Sequence, residues 1–441
     1  MSRPRRPEPE VATIAGVTHD GRGIVSGDGK KVFVAGALAG ERVRYLRRKR
    51  RRNYDEAELL EVLDATPERV KARCAAYGRC GGCSLQHVGA DAQRAIKFRT
   101  LADNLERIGR VTPARWLEPL AGDPWHYRRR ARLAVKDVPA KGRVLVGFRE
   151  RHAPLVTDMA RCEVLARPVD GLIGALSDLL AGVALRARVP QIEVAVADNA
   201  VALVFRVLDE PGQGDRAALA RFAAQHDIQV WLQPGGLESL VPLAPADPAP
   251  LVYTLPAFDL TITFEPVDFV QVNAALNEAM VSLAVGLLAP VPGDRVLDLF
   301  CGIGNFTLPL ARRAGEVLGL EGDASLVARA GANAAANGIG NARFRVADLS
   351  LVDGREDWFA RPWDLVLLDP ARNGAAEVAA RMQKLGPRRV VYVSCHPGTL
   401  ARDAGTLVHE QGYRLEAAGI VDMFPHTAHV ESVAVFAKEN S

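Results

Sequence analysis

The sequence predicts a multidomain α/β protein: a small OB-like β-barrel, a central α+β region and a C-terminal Rossmann-like, doubly wound domain. Three observations carry this reading. Short β-type runs broken by glycine fill residues 10–62, strand-like and helical segments mix over 111–265, and from Val267 onward strands and helices alternate. A length of 441 residues accommodates several such domains.

The first part is assigned to residues 1–66. Its β-type runs are Val11–Val17, Gly23–Ser26, Lys31–Ala35, Arg42–Leu46 and Ala57–Leu63, and five short strands with turns between them suit a small barrel. The net charge of the chain is +4, yet residues 1–62 hold 14 Lys/Arg against 9 Asp/Glu, a local balance of +5. The excess peaks at Arg47-Arg48-Lys49-Arg50-Arg51-Arg52, a run suited to neutralising phosphates. Its position between two strand-like stretches favours a basic loop on a folded module over a solvated tail. Met1–Arg6 has no hydrophobic signal segment behind it, and no apolar run reaches the roughly 18 residues of a membrane span. A cytoplasmic location with no membrane partner is the expectation.

The central part is assigned to residues 67–265. A cysteine-rich loop (64–90) leads into a helix at Asp91–Ile108. Strand-like segments follow at Ala131–Val135, Val144–Phe148, Gln191–Val196 and Ala202–Val207, with helical ones at Val169–Ala181 and Asp215–Gln225. Cys74, Cys80 and Cys83 form a Cys-x5-Cys-Gly-Gly-Cys group, and Cys162 lies 79 residues beyond. In a cytosolic chain such spacing argues against a disulfide framework. Four thiolates suit an iron–sulfur cluster or zinc, and spacing does not separate the two. Tyr127-Arg128-Arg129-Arg130-Ala131-Arg132 offers further cations for a nucleic-acid backbone, although strand alternation there equally suits salt bridges. Trp125 and Phe269 read as stacking partners or as core residues.

The C-terminal part is assigned to residues 266–441, with strands at Arg295–Phe300, Val317–Glu321, Arg343–Val346, Leu365–Asp369 and Val390–Ser394. In Val296-Leu297-Asp298-Leu299-Phe300-Cys301-Gly302-Ile303-Gly304-Asn305-Phe306 a strand enters a glycine loop, where two glycines let the backbone approach a ligand. Glu321, 23 residues after Asp298, ends the next strand, where a carboxylate can accept from both hydroxyls of a ribose. A dinucleotide fingerprint would place a third glycine at position 307, which is Thr307. With no pyrophosphate to cradle, S-adenosylmethionine (SAM) fits better than a nicotinamide cofactor. Asp348 ends the third strand and reads either as a contact to the adenine edge or as a helix N-cap.

Cys395 follows an apolar run in Val391-Tyr392-Val393-Ser394-Cys395-His396-Pro397, a way of presenting a thiol at the mouth of a parallel sheet. Cys301, inside the glycine loop, reads as a small core residue. Glu431 ends the extended segment Asp422-Met423-Phe424-Pro425-His426-Thr427-Ala428-His429-Val430-Glu431, and His426 and His429 read as structural rather than metallic. Thiol, acid and SAM loop together meet the needs of methylation at C5 of a pyrimidine. That carbon is a poor nucleophile until a thiolate adds to C6, and a base must then remove the C5 proton.

These residues resemble the RNA uracil-C5 methyltransferases. Asp369-Pro370-Ala371-Arg372-Asn373-Gly374 with Val390–Cys395 resembles the family's nucleophile signature, and Phe424–Glu431 its general-base signature. Phe264–Asn273 resembles the segment leading into its catalytic domain. The resemblance implies Cys395 as nucleophile and Glu431 as base, with SAM held by Gln271, Phe300, Asn305, Glu321, Asp348 and Asp369. Two departures stand out: His396 replaces the usual Asn after the nucleophile, and Asp348 replaces an amide sometimes found there. Cys74, Cys80, Cys83 and Cys162 resemble the [4Fe–4S] ligands of ribosomal RNA members, and the N-terminal barrel resembles a TRAM RNA-binding domain. The implied activity is methylation of C5 of one uridine in 23S rRNA, by a monomer. The alternatives are another rRNA or tRNA target, a cytosine-C5 enzyme, or a non-catalytic RNA-binding iron–sulfur protein.

Overall fold

The computed structural model describes residues 8–18, 20–26 and 29–438, so the Met1–Arg6 segment lies outside the described residues. The chain divides into two compact units. One comprises Met1–Thr100, Arg149–Leu155 and Phe424–His429, and the other Leu101–Phe148, Val156–Met423 and Val430–Ser441. Among the described residues no helix is long and apolar enough to cross a membrane.

In the first unit six strands form one curled sheet: Glu10–Thr13, Gly16–Val17, Arg22–Val25, Lys31–Ala35, Arg42–Arg50 and Tyr54–Asp64. Their order across the sheet is first, fifth, sixth, fourth, third, second, and no pair among the described residues closes it into a barrel. Alternation sets the inner face. In Lys31–Ala35, Val32 and Val34 are buried, and they pack with Ile14, Ala37, Val43, Tyr45 and Ala57.

The basic run departs from the loop expected for it. The strand Arg42–Arg50 carries Arg47–Arg50, because acids on Glu10–Thr13 and Tyr54–Asp64 reward continued pairing. Arg47 lies 2.7 Å from Glu10 and 2.8 Å from Asp55, Arg48 pairs with Glu58, and Lys49 and Arg51 reach Glu56. Hydrogen bonds from Lys30 and then Arg47 hold the Asp55 carboxyl below its usual range. Much of this charge is therefore answered within the sheet, and Arg50 and Arg52 stand outside these pairs.

In the second unit a mixed six-stranded sheet runs in the order Val241–Ala244, Gln229–Gln233, Val201–Arg206, Gln191–Val196, Arg130–Val138, Arg143–Gly147. The helices Leu172–Ala181 and Gln213–His226 accompany it, as the α+β pattern predicts. The arginines at 128–132 are largely engaged inside the protein. Arg132 pairs with Glu193 at 3.0 Å, Arg129 is buried, and Arg130 donates to the carbonyl of Pro266.

The same unit holds an eight-stranded sheet. Its order is Ala342–Val346, Glu316–Glu321, Arg295–Leu299, Leu365–Leu368, Arg389–Ser394, Glu431–Lys438, Tyr413–Val421, Arg115–Trp116. The first five strands are parallel and stand where the alternation predicts them. Glu431–Lys438 runs antiparallel to both neighbours, since the nine residues 422–430 before it are too few for a crossover helix. The chain leaves Arg295–Leu299 toward Glu316–Glu321 on one side and returns to Leu365–Leu368 on the other. The crevice at that switch point opens at the carboxyl ends of the strands, where such sheets bind ligands.

One component was not legible in the sequence. Arg115–Trp116, far upstream, adds the outermost strand by pairing with Ala417 and Ala418. It is led there by the π-turn Leu105–Gly109, which packs on the helix Pro397–His409. A Cβ at Gly109 would stand 2.4 Å from the carbonyl oxygen of Ala401, so this close approach requires glycine.

Candidate active site

Sheet register explains how the nucleophile candidate meets its acid. Ser394 lies opposite Ser432 in the antiparallel pair, so the next residue outward on one strand, Cys395, faces Glu431 on the other. Because that last strand is reversed, its first residue stands at the same edge as the carboxyl ends of the parallel strands. Asp369 follows Leu365–Leu368 at this level, and its N–H donates to the carbonyl of Leu299 at 3.3 Å. The structure thus brings Cys395, Glu431 and Asp369 together.

Their charges act on one another. Burial, then Glu431 and Asp369, push the Cys395 thiol up to about 11, against the pull of the Arg372 guanidinium. Burial, Glu431 and Asp298 raise the Asp369 carboxyl well above its usual range. Asp298 is fully buried and pushed up to about 7, chiefly by burial, while Thr307 donates to one of its oxygens. Burial likewise drives the Cys301 thiol far above its usual range, which leaves it an inert core residue.

Cys395 also sits at the start of the 13-residue helix Pro397–His409, whose partial positive N-terminus favours a thiolate. The residue between them settles the first sequence departure. His396 is the N-cap, and its Nδ1 accepts from the N–H of Thr399 at 3.2 Å, as an Asn side chain would. The same helix clamps the Asp369–Gly374 loop. Thr399 Oγ1 donates to the carbonyl of Arg372 at 3.1 Å, Arg402 donates to that of Asn373 at 2.9 Å, and buried Asp403 accepts from Ala375 N–H at 2.8 Å and Tyr392 O–H at 2.8 Å. Exposed Arg372 stands on this clamped loop, and its charge pulls the thiol down, a role no sequence signal singled out.

The glycine loop is built on left-handed backbone. Phe300 has φ 69°, Gly302 53° and Gly304 96°. A bulky side chain at positive φ is strained and marks a segment shaped for more than chain reversal. A Cβ on Gly302 would meet open space, whereas one on Gly304 would press Leu308. Glu321 accepts from Gly302 N–H at 3.1 Å through one oxygen and from Gly322 N–H at 2.8 Å through the other. A carboxylate has about four acceptor sites, so acceptor capacity remains for a ligand. Asp348 is exposed, and one of its oxygens accepts from the N–H and hydroxyl of Ser350. It closes a turn after the third strand, so the helix N-cap alternative falls. Gln271 is half-buried, and its carbonyl accepts from Arg129 Nε at 2.9 Å. Asn305 exchanges hydrogen bonds with Asn277 and accepts from Tyr253. Phe269, two residues before Gln271, is 73% exposed, which removes the core alternative for it.

In the first unit, Cys80 is buried and its Sγ accepts from Gly82 N–H at 3.3 Å, while Cys74 and Cys83 are half-buried. Cys162, in the second unit, is also buried. No disulfide forms among the described cysteines, and no group of three or more potential metal ligands is assembled among the described residues. His426 and His429 lie in the first unit, packed among its own residues. The His426 N–H donates to Gln93 at 2.7 Å, and the His429 ring stands edge-on to Phe424 at 4.6 Å.

Comparison with known proteins shows what the chain is similar to. Residues 251–439 match the family model described as tRNA (Uracil-5-)-methyltransferase. The chain is 50% identical over 434 residues to a "23S rRNA (uracil(1939)-C(5))-methyltransferase RlmD" of Methylococcus capsulatus, covering 98% of each chain. It is 52% identical to the protein of that name in Alkalilimnicola ehrlichii, covering 100% of this chain and 99% of that one. Its fold is similar to that of the Pyrococcus abyssi tRNA (uracil-54, C5)-methyltransferase solved with S-adenosyl-L-homocysteine, at a TM-score of 0.75 and 22% identity over 97% of this chain and 100% of that one. With half its residues shared along nearly its whole length, the chain belongs to the RlmD family of RNA uracil-C5 methyltransferases.

Proposed function

We propose that the protein methylates C5 of a uridine in 23S rRNA, with uridine 1939 as the target carried over from its relatives' name. The observation that carries this reading is the register that sets Cys395 across from Glu431 beside the glycine loop. The pocket fits SAM on two features: open space beside Gly302, which leaves room for a ligand against the backbone, and the Glu321 carboxylate at the next strand end. Gln271, Phe300, Asn305, Glu321, Asp348 and Asp369 would hold it, and SAM supplies an electrophilic methyl group.

The chain's own residues do the rest. The target base leaves its stack, at a cost of a few kcal/mol. The Cys395 thiolate adds to C6, and C5 gains the methyl as its electron pair forms the new bond. Glu431 then takes the C5 proton, the C5–C6 double bond re-forms, and the thiolate leaves. Arg372 and the helix N-terminus favour the thiolate at both ends of this cycle. Exposed Phe269 offers a ring face for a neighbouring base, and Arg50 and Arg52 offer charge for the backbone. The assay is release of tritium from C5 of uridine in an rRNA fragment, with SAM present. Release is expected to depend on SAM, and Phe269→Ala is expected to raise KM for RNA roughly tenfold. Background release with the cognate fragment would overturn the reading.

The finer assignments rest on the resemblance. The curled N-terminal sheet is a TRAM-type RNA-binding module, residues 1–66, 67–265 and 266–441 are the three domains, and the protein works as a cytoplasmic monomer. On that resemblance, Cys74, Cys80, Cys83 and Cys162 would hold a [4Fe–4S] cluster. Four thiols are the right donor chemistry, and the Gly82 N–H on Cys80 Sγ suits a thiolate ligand. Anaerobically purified protein is expected to absorb near 400 nm and to lose that band in Cys80→Ser. Zinc with a featureless spectrum is the opposing outcome.

A further inference from the structure

Asn305 is fixed by partners that the proposed function does not use. Tyr253, buried on the strand Leu251–Leu255, donates its hydroxyl to Asn305 Oδ1 at 2.9 Å. Asn277, buried on the helix Ala274–Leu288, donates to that same oxygen at 3.0 Å and accepts from Asn305 Nδ2 at 2.9 Å. A carboxamide has two acceptor positions and two N–H donors. Both acceptor positions of Asn305 are filled, and one of its donors is spent. What remains for a ligand is a single N–H.

The hydroxyl that enforces this is itself held. The Arg129 guanidinium lies over the Tyr253 ring, 4.8 Å from its centre, and its Nε donates to the carbonyl of Gln271. One buried arginine thus braces the support of Asn305 and the backbone of a second candidate SAM residue. Burial pushes the Tyr253 phenol far above its usual range, so it stays a donor through the working pH range.

We propose that Tyr253 and Asn277 are positioning residues that make Asn305 a pure donor, which selects the carboxylate rather than the ammonium of the amino-acid end of SAM. The inference rests on the SAM reading above. An amide free to flip would present either its oxygen or its nitrogen to the ligand. With Oδ1 filled, the ammonium group finds no acceptor at this position, and the carboxylate finds a donor.

The test compares binding of SAM with binding of decarboxylated SAM, which keeps the ammonium and lacks the carboxylate. Calorimetry on the full chain would measure both. Tyr253→Phe is expected to weaken SAM about tenfold and to leave decarboxylated SAM within twofold. KM for SAM should rise while kcat at saturation holds. Asn277→Ala, a second route to the same loss, is expected to show the same split and carries the test if Tyr253→Phe does not fold. Equal weakening of both ligands would mark a merely structural role and overturn the proposal, as would no change in either. If wild-type protein released tritium yet bound the two ligands equally, the carboxylate assignment alone would fall. If it bound neither and released nothing, the methyltransferase reading would fall with it.

Discussion

Replacing Cys395 by serine is expected to lower turnover by at least about 10⁴-fold while leaving SAM affinity within about twofold. Oxygen is the poorer nucleophile toward C6, and its conjugate acid ionises far less readily than a thiol at neutral pH. The tritium-release assay reads the loss. A serine variant within tenfold of wild type would remove the covalent mechanism. The wild-type thiol also has a distinctive titration. Burial, then Glu431 and Asp369, hold it at about 11, so below that pH it is mainly protonated. Alkylation by iodoacetamide requires the thiolate and should rise roughly tenfold per pH unit from 7 to 10 in the ligand-free protein, levelling near 11. A plateau below pH 8 would mean that Arg372 and the helix N-terminus outweigh the two acids.

The chemistry-bearing residues were legible because their local context is short-range. Cys395, Asp369 and Glu321 each end a strand, and strand ends are visible as apolar runs stopped by turn residues. What the sequence could not convey is which strand ends adjoin. Glu431 meets Cys395 only because a nine-residue connection forces an antiparallel return, and the register then aligns the two. Supporting residues were illegible for a related reason. Asp403 looks like any helix acid until the fold sets it against Tyr392 and Ala375, and Tyr253 looks like a strand aromatic until its hydroxyl meets Asn305. Gly109 likewise gives no sign of the backbone that crosses it.

The basic run shows the converse. Six consecutive cations read as a nucleic-acid surface when counted along the chain, but pairing is decided across strands. Arg47, Arg48, Lys49 and Arg51 find Glu10, Asp55, Glu56 and Glu58 on the flanking strands. Those acids lie up to 37 residues from their partners in sequence, at positions 10, 55, 56 and 58, and only a register could have revealed them. His396 teaches the same lesson in miniature. As a letter it breaks the family pattern, while as an acceptor toward Thr399 N–H it preserves the cap.

Glu431→Gln should separate the two halves of the reaction. The amide keeps the shape of the buried side chain but cannot take the C5 proton. Addition of Cys395 and methylation of C5 would proceed, and the adduct would then persist. The expected result is a protein–RNA species stable to denaturing electrophoresis, carrying label from the SAM methyl group, with tritium release down by about 10²–10⁴. A second effect runs the other way. Glu431 is among the charges that raise the Cys395 thiol, so removing it should lower that pKa and speed alkylation by iodoacetamide at pH 8. Misfolding would also expose the thiol and speed its alkylation, so the trapped adduct carrying the methyl label is the readout that separates loss of the base from loss of the fold. Release within tenfold of wild type, or lost turnover with no trapped adduct, would take the proton-abstracting role away from Glu431 and leave Asp369, the other carboxyl at this edge, as the group to test.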